Sequence, residues 1–194
     1  DLIGIPWRVA FALQDDGWYL RSDCIWEKPN AMPQSVRDRP TTSHEYVFML
    51  TKSSTYYADM GAVKEPVVKG SAGSSFTTGK TAVNGQWRSS TKGRVEAESR
   101  NVRTVWTIPT QPFSAKSVGI EDADHYAVMA SKVVDRCILI GCPEGGTVLA
   151  PCGGAGTSAL VAARLKRSSV LCELNPASIR KAQARLGKEG YSSI

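Results

Sequence analysis

The chain has 194 residues, of which 42% are hydrophobic and 22% charged, an ordinary composition for a soluble globular protein, and its net charge of +6 suits an anionic partner. This length allows one domain with a sizeable core and a long insertion. No apolar run reaches the roughly 20 residues that a membrane span needs, and no signal peptide opens the chain, so we expect an intracellular protein.

The first third of the chain predicts one helix and two strands. Residues 3–16 carry apolar side chains at helical spacing: Ile5, Val9, Ala12 and Leu13. The aromatic and β-branched run 18–26 predicts a strand, and the proline-containing stretch 28–42 predicts a long loop. The apolar run 45–50 predicts a second, buried strand, and Tyr56 and Tyr57 are expected to pair back along it.

Residues 66–103 differ in composition, because fifteen of these 38 positions are Gly, Ser or Thr. In the overlapping stretch 64–103, eight Lys and Arg outnumber three Glu, so this stretch holds five of the six net positive charges. We interpret it as a flexible insertion or a small recognition element. Its basic side chains predict contacts with phosphates, and Arg88 or Arg94 are candidates to reach base edges. A solvated linker is the alternative.

The rest of the chain predicts alternating strands and helices. The predicted elements are an extended segment at 102–108, a helix at 129–140, a strand at 147–150, a glycine loop at 153–156, a helix at 157–165 and a strand at 169–174. Asn175 is expected to cap a last helix that begins at Pro176 and carries Ile179, Ala182 and Leu186 on one face. This order predicts an α/β fold with a mostly parallel, doubly wound sheet.

The cysteines and histidines do not have the spacing of a metal site. No CxxC pair occurs, and His44 and His125 are far apart in sequence. We therefore expect no metal and five buried, reduced cysteines, which are Cys24, Cys137, Cys142, Cys152 and Cys172.

The glycine loop is the most informative stretch. A strand that ends in closely spaced glycines and leads into a helix lets the backbone approach a ligand closely. The next strand is predicted to end near Glu173, whose carboxylate can accept hydrogen bonds from both hydroxyls of a ribose. The spacing Gly-Gly-Ala-Gly differs from a dinucleotide fingerprint, and no Gly-Lys-Ser/Thr follows, which favours a nucleoside cofactor without phosphates. A turn that only connects strand and helix is the alternative.

These segments resemble a known family. PCGGAGTSALVAARL followed by VLCELNP is similar to the cofactor region of the DNA methyltransferases that modify the exocyclic amine of adenine or cytosine. GIPWRVAFAL, GWYLRSDCIWEKPN, RPTTSHEYVFMLTKS and YYAD resemble the blocks that follow the catalytic motif in that family. HYAVMASKVVDRCILIGCPEGGTVL resembles the segment that covers the bound cofactor.

The order of the blocks resembles that of the circularly permuted beta class of these enzymes. The resemblance implies a Rossmann-like methyltransferase fold, S-adenosylmethionine as the cofactor, double-stranded DNA as the partner and a cytoplasmic protein of bacterial or phage type. It divides the chain into a catalytic-side part at 1–63, a target-recognition insertion at 64–103 and a cofactor-binding part at 104–194. RNA is a less favoured alternative to DNA as the substrate. It stays open because a basic insertion can bind either polymer.

The resemblance also implies site residues. The residues implied to bind the cofactor are Ala150, Pro151, Cys152, Gly153, Gly154, Ala155, Gly156, Thr157, Glu173, Leu174, Asn175, His125 and Met129. Trp26 and Asn30 match a block near the extruded base, although a core role for Trp26 is about equally favoured. The residues expected to bind DNA are Lys28, Arg37, Arg39, Lys80, Arg88, Lys92 and Arg94.

The chain departs from the family pattern in two respects. Ala150 stands where the family usually has an Asp that holds the ammonium group of the cofactor, and Cys152 and Ala130 replace a Phe and a Pro. Loss of that carboxylate is expected to cost on the order of 1.5–3 kcal/mol of binding free energy. The catalytic motif, an acidic residue or serine followed by two prolines and an aromatic, is absent from the chain, so no catalytic residue is assigned.

Two hypotheses follow. In the first, the chain is part of an active DNA methyltransferase, and an N-terminal segment or a second chain completes the sheet and supplies the motif. In the second, it is a non-catalytic remnant that binds DNA or the cofactor without turnover.

Overall fold

The computed structural model describes residues 2–67, 99–112, 114, 119 and 128–191. The elements in chain order are α1 (Ile5–Asp15), β1 (Tyr19–Glu27), β2 (His44–Thr51), a single 3-10 turn (Gly61–Val63), β3 (Glu65–Pro66), β4 (Ser99–Arg100), β5 (Val105–Thr107), α2 (Ser131–Gly141), β6 (Thr147–Ala150), α3 (Thr157–Arg164), β7 (Ser168–Leu171) and α4 (Pro176–Lys188). The predicted α/β alternation of the C-terminal part is confirmed.

A three-stranded sheet has the strand order β2-β1-β5. β1 and β2 pair antiparallel along their whole length, with an irregularity between Leu20 and Ser22. β5 pairs parallel with β1 at Ile25, Trp26 and Glu27 only. The amino-terminal half of β1 therefore has a described partner on one side alone.

A separate two-stranded sheet consists of β6 and β7, which pair parallel from Thr147 with Ser168 to Ala150 with Leu171. Both strands end at the same edge, since parallel strands share their carboxyl edge. Within the described residues, the other side of β6 pairs with no strand.

Helix α2 contributes side chains to two core clusters, one against each of these sheets. Its Val133 and Ile140 belong to a core cluster with Trp26 and Trp106. Its Val134 and Ile138 pack in a separate cluster with the Val161 side of α3. One amphipathic helix thus contributes to two cores, which fixes the site at the β6–β7 edge relative to β1.

The two short strands β3 and β4 pair antiparallel on either side of residues 67–98 and so form the base of the predicted insertion. Glu65 lies within 4 Å of three arginines, with Nε of Arg103 at 3.3 Å, Nε of Arg100 at 3.6 Å and Nη2 of Arg136 at 3.8 Å. This ion cluster ties the base of the insertion to α2.

Three expectations about the first half are corrected by tertiary packing. α1 forms as predicted, but Ile5 and Val9 are about half exposed, and its contact with the sheet is made by Trp7, whose ring lies 4.8 Å from that of Phe48. The strand β2 is partly exposed rather than buried. Tyr56 forms no strand with it, and its hydroxyl accepts a hydrogen bond from Arg21 Nε at 3.1 Å.

Two details differ in the second half. Ile179 is partly exposed, because the buried face of α4 is formed by Ser178, Lys181, Ala182 and Leu186. β7 ends at Leu171, so Glu173 lies two residues beyond the strand. None of the helices in the described part of the chain is long and apolar enough to cross a membrane.

Candidate cofactor site

The glycine loop turns sharply between β6 and α3. The backbone N–H of Gly153 donates to the carbonyl of Cys172 on the neighbouring strand end, at 2.8 Å, and that of Gly156 donates to the carbonyl of Gly153, at 2.9 Å. Gly154 and Gly156 have φ values of +52° and +75°, in the left-handed region that side chains disfavour. The turn is therefore set by the backbone itself.

The loop is packed closely from below. A Cβ atom at Gly153 would lie 2.8 Å from Cδ2 of Leu171, and one at Gly156 would lie 2.8 Å from Cβ of Ala182. A Cβ atom at Gly154 would meet nothing within 4 Å, so this glycine borders open space. The loop thus has one face pressed against β7 and α4 and one position open to a ligand.

Glu173 lies just beyond β7, beside the glycine loop. Its Oε2 accepts a hydrogen bond from the N–H of Gly154 at 2.7 Å, and its Oε1 accepts one from the N–H of Asn175 at 2.9 Å. These backbone donors, Asn175 first and Gly154 second, lower the pKa of the Glu173 carboxyl below its ordinary value. The carboxylate is held ionised beside the loop, and its remaining lone pairs can accept from ligand hydroxyls.

The residues after Glu173 begin α4. The Asn175 side chain caps the helix by accepting from the N–H of Ala177 at 2.9 Å, and Pro176 occupies the first turn, as predicted. Leu174 is 99% exposed. An exposed apolar side chain beside an acid can cover the flat face of a base such as adenine.

Arg185 is a site residue that the sequence reasoning missed. Its Nη1 donates to the hydroxyl of Thr157 at 2.8 Å and lies 3.4 Å from the carbonyl oxygen of Ala155. Thr157 is only 6% exposed, so its hydroxyl needs a protein partner. A sequence signal did exist, since Arg185 follows Ala182 by three residues and thus lies on the face of α4 that packs against the loop.

Ala150 and Cys152, which depart from the family pattern, lie at the start of the glycine loop, as the sequence predicted. Ala150 ends β6, and Cys152 follows it at the open carboxyl edge. The expected burial is wrong for all five cysteines: Cys24 and Cys142 are partly exposed, and Cys137, Cys152 and Cys172 are exposed. Cys152 and Cys172 are exposed because both lie just beyond their strands at that edge. Within the described ranges, no three His, Cys, Asp or Glu side chains come together as a metal-binding group.

The two residues proposed for the base pocket differ in exposure. Trp26 is 4% exposed, and its indole N–H donates to the carbonyl of Ile108 at 2.7 Å. This burial favours the core role that was weighed for Trp26. Asn30 is open to solvent, and its Oδ1 accepts from the N–H of Thr110 at 2.8 Å. Asn30 therefore fixes the start of the segment that follows β5.

The described residues among those expected to bind DNA lie on and beside the 28–43 loop. Arg37 and Arg39 are exposed there, and Arg39 pairs with Asp38 at 3.3 Å. Lys28 is held by Glu45 and lies 4.6 Å from the Trp26 ring centroid. Four other DNA-binding candidates and one cofactor candidate lie outside the described residues: Lys80, Arg88, Lys92, Arg94 and His125. Met129 is half exposed and lies two residues before the start of α2.

A separate cavity of about 520 Å³ lies at the amino-terminal half of β1. Its walls include Trp18, Cys24, Tyr56 and Cys137. None of the residues expected to bind the cofactor lines it, so it is distinct from the site at the glycine loop.

Comparison with known proteins agrees with this geometry. A family model described as DNA methylase matches residues 3–184. The Type II methyltransferase M.Cfr9I of Citrobacter freundii is 44% identical over 194 residues, covering 100% of this chain and 53% of the relative. The Type II methyltransferase M.SmaI of Serratia marcescens is 42% identical over 186 residues, covering 96% of this chain and 52% of the relative. The chain thus spans about half the length of the curated relatives it matches.

Solved structures share the fold. The cytosine-N4-specific PvuII DNA methyltransferase superposes with a TM-score of 0.66 at 17% identity, covering 93% of this chain and 56% of that one. The M1.HpyAVI–SAM complex superposes with a TM-score of 0.59 at 16% identity, covering 96% of this chain and 71% of that one. The Rossmann-like methyltransferase fold expected from the sequence is confirmed.

Proposed function

The chain belongs to the DNA methylase family, and we propose that it is the cofactor-binding and target-recognition part of an S-adenosylmethionine-dependent DNA methyltransferase. In this proposal the enzyme methylates the exocyclic amine of adenine or cytosine in double-stranded DNA, in the cytoplasm of a bacterial or phage-infected cell. The relatives are named Type II methyltransferases, which supports a role in site-specific modification.

The hydrogen bond between Glu173 and Gly154 is the observation that carries the proposal. It places an ionised carboxylate beside a glycine loop at the shared carboxyl edge of two parallel strands. Ligands of open α/β sheets bind outside that edge. A carboxylate at this point can accept from ribose hydroxyls, while the loop contains no lysine and no Gly-Lys-Ser/Thr pattern for a phosphate.

The residues present fit S-adenosylmethionine. Glu173 would hold the ribose, exposed Leu174 would cover the adenine, and the open position at Gly154 would admit the methionine end. When bound, this cofactor supplies an electrophilic methyl group. The contribution of this chain is to bind and orient it, because positioning provides much of the acceleration in a direct transfer.

The unpaired side of β6 supports the same proposal. In the described part of the sheet, β6 has β7 on one side and no partner on the other, while the amino-terminal half of β1 lacks a partner on the β5 side. In this proposal, the strand that carries the family's catalytic motif pairs with the free side of β6. We propose that this strand comes from an N-terminal segment of the full-length protein or from a second chain.

The DNA would meet the chain along its basic segments. Arg37 and Arg39 are exposed on the 28–43 loop, and the basic insertion is anchored to α2 by the Glu65 cluster. Contacts of these side chains with phosphates would position the duplex and would weaken as salt rises.

Titration calorimetry of the chain with S-adenosylmethionine tests the cofactor assignment. We expect saturable binding, and on the order of tenfold to hundredfold weaker binding for Glu173→Gln, because a charged acceptor for the ribose is lost. Glu144→Gln is the matched control, since Glu144 is an exposed acid at the opposite end of β6. Absence of binding by the unaltered chain, or equal effects of the two substitutions, would contradict the assignment.

A non-catalytic binding module is the second candidate, and Ala150 is the observation that favours it. The two candidates are separated by joining the chain to an N-terminal segment that carries the family motif and supplying radiolabelled cofactor with duplex DNA. Label in the DNA supports the enzyme. Tight binding of cofactor and DNA without label supports the binding module.

A further inference from the structure

We infer that Arg185 is a positioning residue, which holds the glycine loop in the shape that binds the cofactor. This inference rests on the proposed function. The guanidinium of Arg185 reaches from α4 to the junction of the loop with α3, where it donates to Thr157 Oγ1 at 2.8 Å and approaches the Ala155 carbonyl at 3.4 Å.

Arg185 contacts the junction between the glycine loop and α3, where no side chain caps the helix. Gly156 has a left-handed φ of +75° and, as a glycine, offers no side chain to cap α3. Thr157, the first residue of the helix, is buried. Arg185 donates to the hydroxyl of Thr157 and faces the carbonyl of Ala155. This charged donor therefore holds the junction in place, which the glycines of the loop cannot do with side chains of their own.

The contact is also well defined in space. Arg185 is partly buried, and this burial lowers the pKa of its guanidinium. An arginine side chain nevertheless stays charged at neutral pH. Ala182, one turn earlier on α4, lies against Gly156, where a Cβ would approach it to 2.8 Å. The loop thus packs against Ala182 and is hydrogen-bonded to Arg185, and these two contacts fix its position relative to α4.

The ion pair between Arg164 and Glu189 provides an internal comparison. Arg164, at the far end of α3, donates from Nε to Glu189 Oε2 at 2.8 Å and thereby ties the same two helices away from the loop. If Arg185 acted only by joining α3 to α4, loss of either arginine would have the same consequences. If it positions the loop, only its own loss changes the affinity for the cofactor.

The test combines calorimetry with S-adenosylmethionine and thermal unfolding of each variant. We expect Arg185→Met to raise the Kd about tenfold, since a loosened supporting contact misplaces the loop atoms that meet the ligand. Arg164→Met is expected to lower the melting temperature and to leave the Kd within twofold. Thr157→Val removes the hydroxyl that Arg185 engages and is expected to raise the Kd as Arg185→Met does.

The double variant Arg185→Met, Thr157→Val decides whether the two residues act together. We expect its Kd to equal that of the single variant that binds the cofactor more weakly, because both substitutions break the same hydrogen bond. Additive effects would overturn the inference, as would an Arg185→Met Kd within twofold of the unaltered chain or equal Kd changes for Arg185→Met and Arg164→Met. If Arg185→Met does not fold, as judged by circular dichroism, Thr157→Val compared with Arg164→Met decides the question in its place.

Failure of this inference differs from failure of the proposed function. If the unaltered chain does not bind S-adenosylmethionine, the proposed function is wrong. If it binds and the Arg185 and Thr157 variants bind equally well, the cofactor assignment stands and only the positioning role falls.

Discussion

The carboxylate of Glu173 lies 2.7 Å from the backbone nitrogen of Gly154, so the acid that follows β7 is hydrogen-bonded to the loop that follows β6. The two residues are 19 positions apart in sequence and belong to neighbouring parallel strand ends. This bond makes Glu173 a structural support of the glycine loop as well as the proposed partner of the ribose. The two roles have separate measurable consequences.

The structural role predicts a pH-dependent effect of Glu173→Gln on stability. The carboxyl has a lowered pKa in the folded chain, so its stabilisation is fully present above the pKa of the unfolded chain, near 4.5, and is lost as the pH falls through the folded value. We expect the variant to melt at a lower temperature than the unaltered chain at pH 7 and pH 5.5. The difference should shrink below pH 4.5, and a difference that grows on acidification would contradict this sign.

Gly156→Ala and Gly154→Ala separate steric contact from backbone strain. Both positions have positive φ, but only a Cβ at Gly156 would meet a neighbour, Ala182, at 2.8 Å. We expect Gly154→Ala to cost about 1 kcal/mol of unfolding free energy, from strain alone. Gly156→Ala should cost about 3 kcal/mol, because overlap adds to the strain. Urea unfolding of both variants measures the difference, and equal costs would show that α4 moves away without penalty.

The cap of α4 gives a prediction at the edge of the site. Asn175 Oδ1 accepts from the N–H of Ala177 at 2.9 Å, so Asn175→Ala is expected to lower the unfolding free energy by about 1 kcal/mol. Gln183→Ala, at an exposed position in the same helix, serves as the control and is expected to change it little. A loss of similar size in both variants would mean that the effect arises from the helix and not from its cap.

The features that the sequence predicted correctly are those with a local physical cause. The glycine spacing, the Asn-Pro helix start and the strand 147–150 depend on neighbours within a few residues, and each is found in the structure. The position of Glu173 near the end of the next strand was also predicted, and its role in holding a ribose stays a prediction. Its partner Gly154 was part of the predicted loop, so only the hydrogen bond between them was new.

The features that the sequence did not predict depend on packing between distant segments. The spacing of Ile5 and Val9 is compatible with a helix, but Trp7 faces the sheet because its ring finds Phe48 there. Arg185 contacts Thr157 across 28 positions, and a lone arginine in a helix resembles any solvated basic residue. The same reasoning explains Tyr56. This residue forms no strand, and its hydroxyl accepts a hydrogen bond from Arg21, which is distant in sequence.

The replacement of the family carboxylate at Ala150 predicts a gain of affinity on its return. Ala150 ends β6 directly before the glycine loop, so a carboxylate there would be near the ammonium group of bound S-adenosylmethionine. We expect Ala150→Asp to lower the Kd for this ligand about tenfold, the size of one charge-assisted hydrogen bond.

5′-Methylthioadenosine is the matched probe for this prediction, because it keeps the adenine and the ribose but has no ammonium group. Its Kd is expected to change little in Ala150→Asp, since Glu173 and Leu174, the proposed partners of the ribose and adenine, are unaltered. Ala150→Asn, which adds similar volume without charge, should give a smaller gain for S-adenosylmethionine. Equal gains for both ligands would show that the new side chain acts by stiffening the loop, and the ammonium group would then require another partner in the full-length protein.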